Sequence, residues 1–393
     1  MAIASLGVKA EEFGNSLRKV HKSIEENRAK DMVKPFLSII VPAYKTENTL
    51  VRCLDSIFSQ IEGTTLEDMV EVCAVNDCSP DNVGKILDEY RSKCPTLKVI
   101  HHKKNKGEAG AHNTGMEATV GEYFLRLDSD DVLKYGSVEK IVYICKKFTP
   151  DIILHGFTSL TPEGKYISQV GFSYEGMIDI SSGCSPDVRS AFKLVAFGLM
   201  TPNVVYRRAA ALDVRQDAKY KISGDRYFGW RCFCKSSRFY VTNEPFVDFY
   251  VYPSSMSRVL SDEAVAGLLE LNIKFWSEAQ EHPLFKMGRR QAFFRLFFGQ
   301  VGWDYEIVFL AESEKRKHAA LYFAALRNFL KGGASWRVIG IWHLYIWLAC
   351  VLKSWRMMGA YHYVFYKFIW RTEGKLKRTA KRLLTYTKLG NAI

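Results

Sequence analysis

The chain has few of the features that would place it quickly. Its nine cysteines include no CxxC pair, Cys232 and Cys234 being nearest each other, which excludes zinc-finger spacing and suits reduced, mostly buried thiols. The N-terminus lacks a basic, then apolar, then small-residue run, so no secretory signal is expected and a cytosolic protein is. Acids are almost missing from residues 331–393, which hold twelve Lys or Arg against one carboxylate, Glu373. Residues 1–330 carry 43 basic and 41 acidic side chains, so most of the +13 net charge sits in the tail. A body this close to neutral excludes the basic stripe of a nucleic-acid-binding domain.

What is present is hydrophobic mass. At 393 residues and 48% hydrophobic composition, the chain exceeds one ordinary domain and suffices for a large core plus an extension. Phe13, Leu17, Val20 and Ile24 recur at helical spacing in the charged lead-in 1–34, predicting one amphipathic helix. Its narrow stripe would pack on the body, or on a second copy in a homodimer.

From Pro35 onward, strands and helices alternate. Near-continuous apolar runs at Phe36 to Val41, Met69 to Val75, Leu97 to Ile100 and Glu122 to Leu127 read as strands covered on both faces. Helices are expected from Thr46 or Asn48, as cap, through Gln60, over Val83 to Tyr90, and over about residues 108–119. This alternation predicts an α/β fold with a doubly wound, mostly parallel sheet. Further on, Asp151 to Thr158 reads as a strand, Thr161 to Gly164 as a hairpin turn and Pro186 to Phe197 as a helix.

The fourth strand ends abruptly in Asp128-Ser129-Asp130-Asp131. In an open α/β sheet the carboxyl ends of the strands are where ligands bind. Three carboxylates so close repel one another unless a cation lies among them, and oxygen ligands favour Mg or Mn. A solvated turn with an Asp cap for a helix over Lys134 to Phe148 is the alternative. Asp77 can accept hydrogen bonds from a base or ribose, or simply form the turn. Gly107 opens a helix whose free N–H groups suit a phosphate, or is only a helix entry.

Four segments in order resemble the motif series of family 2 glycosyltransferases: Ser38-Ile-Ile-Val-Pro-Ala-Tyr44, Val75-Asn-Asp-Cys-Ser-Pro-Asp81, Asn105-Lys-Gly107 with Asn113-Thr-Gly115, and Gly121-Glu-Tyr through Asp131. The similarity is strong over residues 36–132, thinner to about 260, and does not reach the tail. It implies the GT-A fold and an inverting transfer of a sugar from a nucleotide diphosphate, usually UDP, in bacterial polysaccharide synthesis for capsule or lipopolysaccharide. By position, Pro42, Ala43, Tyr44 and Asp77 would hold the uridine and Asp128 would approach the ribose. Glu47, Lys106, Gly107, His112 and Ser129 fall to the same nucleotide-sugar. Asp130 would bind a divalent metal bridging the phosphates, and Asp131 would support it.

The family places its general base after the sheet, in an acid motif opening a helix; the matching stretch is Ile222 to Trp230, with Asp225 as candidate base. Removing the acceptor's proton is the step that needs such a group. Asp225 also makes an ordinary first-turn helix acid. This chain departs from the family at three positions. Gly224 stands where an acid is usual, His112 where many relatives have Arg, and Tyr252 where a histidine often lies near the metal. A phosphate contact by His112 would depend on its protonation, and Tyr252 would complete the metal shell differently; each is otherwise a packed core residue. Met200, Thr201 and Asn203 are expected near the sugar.

The expected division is a lead-in over 1–34, a catalytic domain over 35–260 split at 132/133, a helical packing segment over 261–330 and a tail over 331–393. Phe293, Phe294, Phe297 and Phe298 form a thick stripe for packing or for a protein interface. In the tail, Val338 to Leu352 is only fifteen residues long and contains His343, below the about twenty needed for a span. Five of eight tryptophans fall there among cations, which suits the headgroup region of an anionic membrane and a peripheral position on its inner face. A helical bundle is the alternative. Two functions follow: an active glycosyltransferase acting on a glycan or lipid-linked glycan, or a non-catalytic nucleotide-sugar-binding subunit of an assembly complex.

Overall fold

The computed structural model describes residues 34–172, 174–181, 203–221 and 223–252, with Gly267, Leu271, Lys274 and Glu278 as isolated positions. The chain divides into two units, Met1–Lys315 and Arg316–Ile393, and every described residue belongs to the first. The expected lead-in helix, the helix over 186–197, Met200, Thr201, the aromatic stripe at 291–298 and the tail lie outside the described residues.

Strand β1 (Leu37–Ala43) is almost wholly buried, as its unbroken apolar run requires. Helix α1 (Leu50–Ile61), β2 (Val70–Asn76), α2 (Val83–Lys93), β3 (Leu97–His101), α3 (Gly107–Ala118) and β4 (Tyr123–Arg126) follow in the expected alternation. The next elements are β5 (Val132–Leu133), α4 (Ser137–Phe148), β6 (Ile152–Leu160), β7 (Tyr166–Val170), β8 (Gly176–Asp179), β9 (Val204–Arg207), α5 (Gly224–Phe233) and β10 (Arg238–Tyr250). One sheet runs β3-β2-β1-β4-β9-β6-β10-β5, with β7 beside β6 and β8 beside β10.

Pairing is parallel from β3 through β4 and between β6 and β10, and antiparallel elsewhere. The sheet is therefore mixed, and the strict doubly wound pattern ends at β4. No helix separates β4 from the short β5, and β9 enters antiparallel between β4 and β6.

Because successive strand side chains alternate in direction, β1 feeds two cores. Leu37, Ile39 and Val41 join Leu54, Ile57, Leu87 and Ile141 of α1, α2 and α4 on one face. Ile40 joins Met116 of α3, Phe124, Tyr206 and Phe228 and Trp230 of α5 on the other. Gly115 lets α3 lie close on β1, since a Cβ there would stand 2.3 Å from Ile40 Cγ2.

Local caps differ from expectation. Thr49, not Thr46 or Asn48, occupies the N-cap of α1, and its hydroxyl donates to the Thr46 and Ser129 carbonyls and accepts no helix N–H. No Asp caps α4, which starts at Ser137 after Gly136 in the left-handed region (φ 81°). The turn at Thr161 to Gly164 does join the β6–β7 hairpin.

Candidate active site

Lateral register aligns Ala43, Asn76 and His101 across β1, β2 and β3, so the loops that follow share one sheet edge. The order β3-β2-β1-β4 reverses direction at β1, and the crevice outside that point is the expected ligand site.

The first group of predicted residues forms the β1–β2–α3 side of this edge. Tyr44 is exposed and Lys45 sits in the left-handed region (φ 56°), its N–H donating to Ser79 Oγ at 2.7 Å. Glu47 Oε2 accepts the backbone N–H of Asn82 at 3.0 Å and its side-chain amide at 2.7 Å, so Glu47 ties the Pro42–Tyr44 loop to α2. Asp77 is buried, and its Oδ1 accepts the N–H of Lys106 at 2.8 Å. Gly107, at φ 74°, needs the conformational freedom of glycine to turn into α3.

The acid loop forms the second group. Ser129 Oγ donates to Thr46 Oγ1 at 3.0 Å, joining this loop to the first. Asp131 is fully buried; Oδ1 accepts the Tyr250 N–H at 2.9 Å, while Oδ2 meets no donor among the described residues. Burial, with the neighbouring carboxylates Asp130 and Asp128, holds Asp131 well above the usual carboxylate range. Burial also raises Asp130, against the pull of Arg126 and Arg52.

The third group centres on Arg126, the one charged side chain inside the apolar β4 run. It lies between Glu108, in direct ion-pair contact, and Asp128, whose Oδ1 is 2.7 Å from Nε. One cation thus serves two acids. Burial pushes Asp128 up to about 7, opposed by Arg126 and reinforced by Glu108 and Asp130. For Arg126, burial lowers the pKa, but Asp128, Glu108 and Asp225 outweigh it and the guanidinium stays charged. Arg126, Asp225, His112, Gln216 and Tyr206 line one small pocket. Asp225 lies in the first turn of α5, as expected, more than ninety residues beyond the acid loop.

Two of the departures from the family pattern acquire definite surroundings. His112 is buried edge-on against Phe228, with ring centroids 5.1 Å apart, and burial, then Arg126 and Arg215, lower it to about 3. A neutral imidazole cannot serve as a cationic phosphate contact at neutral pH, although its Nδ1 has no partner among the described residues. Tyr252 reaches the acid loop through Arg52, which donates to its hydroxyl at 3.4 Å and to the Asp130 carbonyl at 2.9 Å. Asn203 is wholly buried with both amide atoms lacking partners among the described residues, one position before the pocket residue Val204.

Arg52, His102, Glu108, Arg126 and Gln216 were not singled out by sequence. Only Arg126 carried a signal, a charge within a buried strand. Among the described residues no three His, Cys, Asp or Glu side chains converge as a complete metal cage. The carboxylates at 128 and 130 nevertheless fit a hard divalent cation, because Mg typically takes one or two protein carboxylates and draws its other ligands from phosphates and water. The orphaned Asp131 oxygen is a buried acceptor that no described donor satisfies.

Comparison with known proteins bears on the fold and on the family resemblance. Residues 38–212 match the model of the family "Glycosyl transferase family 2". The chain is 35% identical over 123 residues to the uncharacterised glycosyltransferase EpsJ of Bacillus subtilis (strain 168), covering 31% of this chain and 34% of that protein. It is 39% identical over 105 residues to chondroitin synthase of Escherichia coli, covering 27% and 14% respectively. The matched stretches thus span about a third of EpsJ and less of the synthase. Among solved structures, S. aureus TarS 1–349 in complex with UDP superposes with a TM-score of 0.64 at 18% identity, over 84% of this chain and 91% of that one. That likeness establishes the GT-A fold with its mixed, mostly parallel sheet. Over residues 38–212, a little under half of its length, the chain is thus similar to the family 2 glycosyltransferases.

Proposed function

We propose that the protein transfers a sugar, with inversion, from a nucleotide diphosphate donor, UDP-linked, to a glycan or lipid-linked glycan acceptor in bacterial surface polysaccharide synthesis. The observation that carries this reading is the pocket in which Asp225 meets Arg126, itself bonded to Asp128 of the acid loop. The candidate proton acceptor thus shares its pocket with the cation that holds the first carboxylate of the acid loop.

The Pro42–Tyr44 loop, Glu47 and Asp77 would hold the nucleoside, with Lys106 and Gly107 at the start of α3. Asp128 and Ser129 would lie toward the ribose and diphosphate. Asp130, with Asp128, would hold Mg or Mn, whose positive charge would stabilise the diphosphate as it leaves. Asp225 takes the proton of the acceptor hydroxyl while that oxygen bonds to the sugar's anomeric carbon. The bond from that carbon to the diphosphate oxygen breaks on the opposite face, and a single displacement inverts the configuration. Arg126 keeps Asp128 oriented, and His112 offers only a neutral hydrogen-bonding edge.

UDP-bound TarS and the synthase relatives support a nucleotide-sugar donor and polysaccharide chemistry by analogy of fold and sequence. The basic, tryptophan-rich residues 331–393 would hold the enzyme on the inner membrane face; among the described residues no helix is long and apolar enough to cross a membrane. The test is release of nucleoside diphosphate from a panel of UDP-sugars with Mn or Mg and a glycan acceptor. Activity in the wild type that Asp225→Asn and Asp130→Asn abolish supports the reading. Wild-type inertness toward every donor overturns it in favour of a binding subunit.

A further inference from the structure

Asp77 is held from behind by a histidine that the reading above leaves unused. His102 directly follows β3, and its backbone N–H donates to the Asn76 carbonyl at 2.9 Å, fixing it beside the end of β2. The side chains of His102 and Asp77 are 4% and 3% exposed. Nδ1 of His102 stands 2.7 Å from Asp77 Oδ1, and Nε2 stands 2.9 Å from Thr114 Oγ1 on α3.

A carboxylate only accepts, so Nδ1 carries the proton; in the neutral ring Nε2 then accepts the Thr114 hydroxyl. The imidazole is thereby pinned at both nitrogens. Oδ1 of Asp77 also accepts the Lys106 N–H at 2.8 Å, so these contacts all fall on one oxygen. Oδ2 takes none of them. A carboxylate oriented in advance spends less freedom on binding than one that must be ordered by its ligand.

We propose that His102 is a positioning residue for donor recognition: with Thr114 it fixes Asp77 so that one oxygen is reserved for an N–H or hydroxyl of the nucleotide's base or ribose. The inference rests on the reading of Asp77 as a donor contact. It assigns β3 a part in nucleotide binding although β3 presents no side chain predicted to touch the donor. His101, the preceding residue, braces the same turn, its Nδ1 lying 3.1 Å from Asn76 Nδ2.

The experiment is calorimetric titration of the full chain with UDP and Mn chloride. Asp77→Ala tests the underlying reading: unchanged UDP affinity would remove Asp77 from the donor site and the proposal with it. If Asp77→Ala weakens UDP, His102→Ala is expected to weaken it about tenfold, the scale typical of losing a group that orients a ligating side chain. Because His102 acts through Asp77, the double variant binds no more weakly than Asp77→Ala alone. His102→Asn, which keeps an N–H donor, recovers part of the loss. Native UDP affinity in His102→Ala, or losses that multiply in the double variant, would overturn the proposal. Should His102→Ala not fold, Thr114→Val alone and with Asp77→Ala repeats the test: a smaller loss that vanishes in the double variant supports it, and no loss or a multiplying loss refutes it.

Discussion

The backbone N–H of Tyr250 donates to Asp131 Oδ1 at 2.9 Å, joining the end of β10 to the acid loop across 119 positions of sequence. The last carboxylate of the loop is thus a structural acceptor, and it brings Tyr252 and Arg52 to the loop's rim. Asp131→Asn keeps the accepting oxygen in a side chain of the same shape, so its denaturation midpoint should stay close to wild type. Asp131→Ala leaves the Tyr250 N–H unpaired and should cost about 1–3 kcal/mol in urea unfolding.

Arg126→Met removes the cation shared by Glu108 and Asp128. A buried pair broken on one side typically costs about 3–5 kcal/mol, less here because Glu108 and Asp128 keep some access to water. Adding Glu108→Gln to Arg126→Met should recover part of that stability, a coupling that chemical denaturation of the four variants would reveal.

Asp225→Asn should lower kcat for nucleoside diphosphate release by about 100- to 10,000-fold, the usual contribution of a general base. The donor KM should change little, because Asp225 faces the pocket and not the nucleotide loops. An equal loss in KM and none in kcat would make it a binding residue.

His112 is lowered to about 3 in the folded protein, so the unfolded chain binds its proton first as the pH falls. Stability is therefore full above the unfolded value of about 6.5 and is lost progressively below it, by about 2 kcal/mol at pH 5 from this group. His155, lowered to about 4 mainly by burial, acts in the same direction. His112→Gln should flatten the acid limb of a plot of thermal midpoint against pH. An unchanged slope would show that His112 does not set it.

Removing residues 331–393 takes away twelve cationic side chains and one acid. If the tail holds the protein on an anionic bilayer, at about 1 kcal/mol per basic residue near the surface, truncation should abolish salt-sensitive sedimentation with phosphatidylserine vesicles. Undiminished binding by the truncated chain would place the attachment elsewhere.

The order of strands and helices through β4 and the positions of Asp77, Asp128, Asp130 and Asp225 were legible in the sequence. Apolar runs ending in polar loops are a local signal: a strand buried on both faces must be apolar, and its exit must not be. The start of α5 at Gly224 was legible too, as an acid motif matched to a family pattern.

What the sequence could not display was partnership over distance. Arg126 shared between Glu108 and Asp128, Arg52 between Asp130 and Tyr252, and His102 locked on Asp77 each join residues from separate elements, and no spacing rule connects them. Nor did an isolated histidine in a Gly-rich helix announce its charge; packing against Phe228 and the nearness of Arg126 decided that His112 stays neutral. The sequence by itself determined which side chains exist at the ends of the strands, because burial of the strand fixes where the chain may become polar. Only the tertiary structure decided which of them share a cation, a proton or a pocket, because those depend on register and on the antiparallel entry of β9 between β4 and β6.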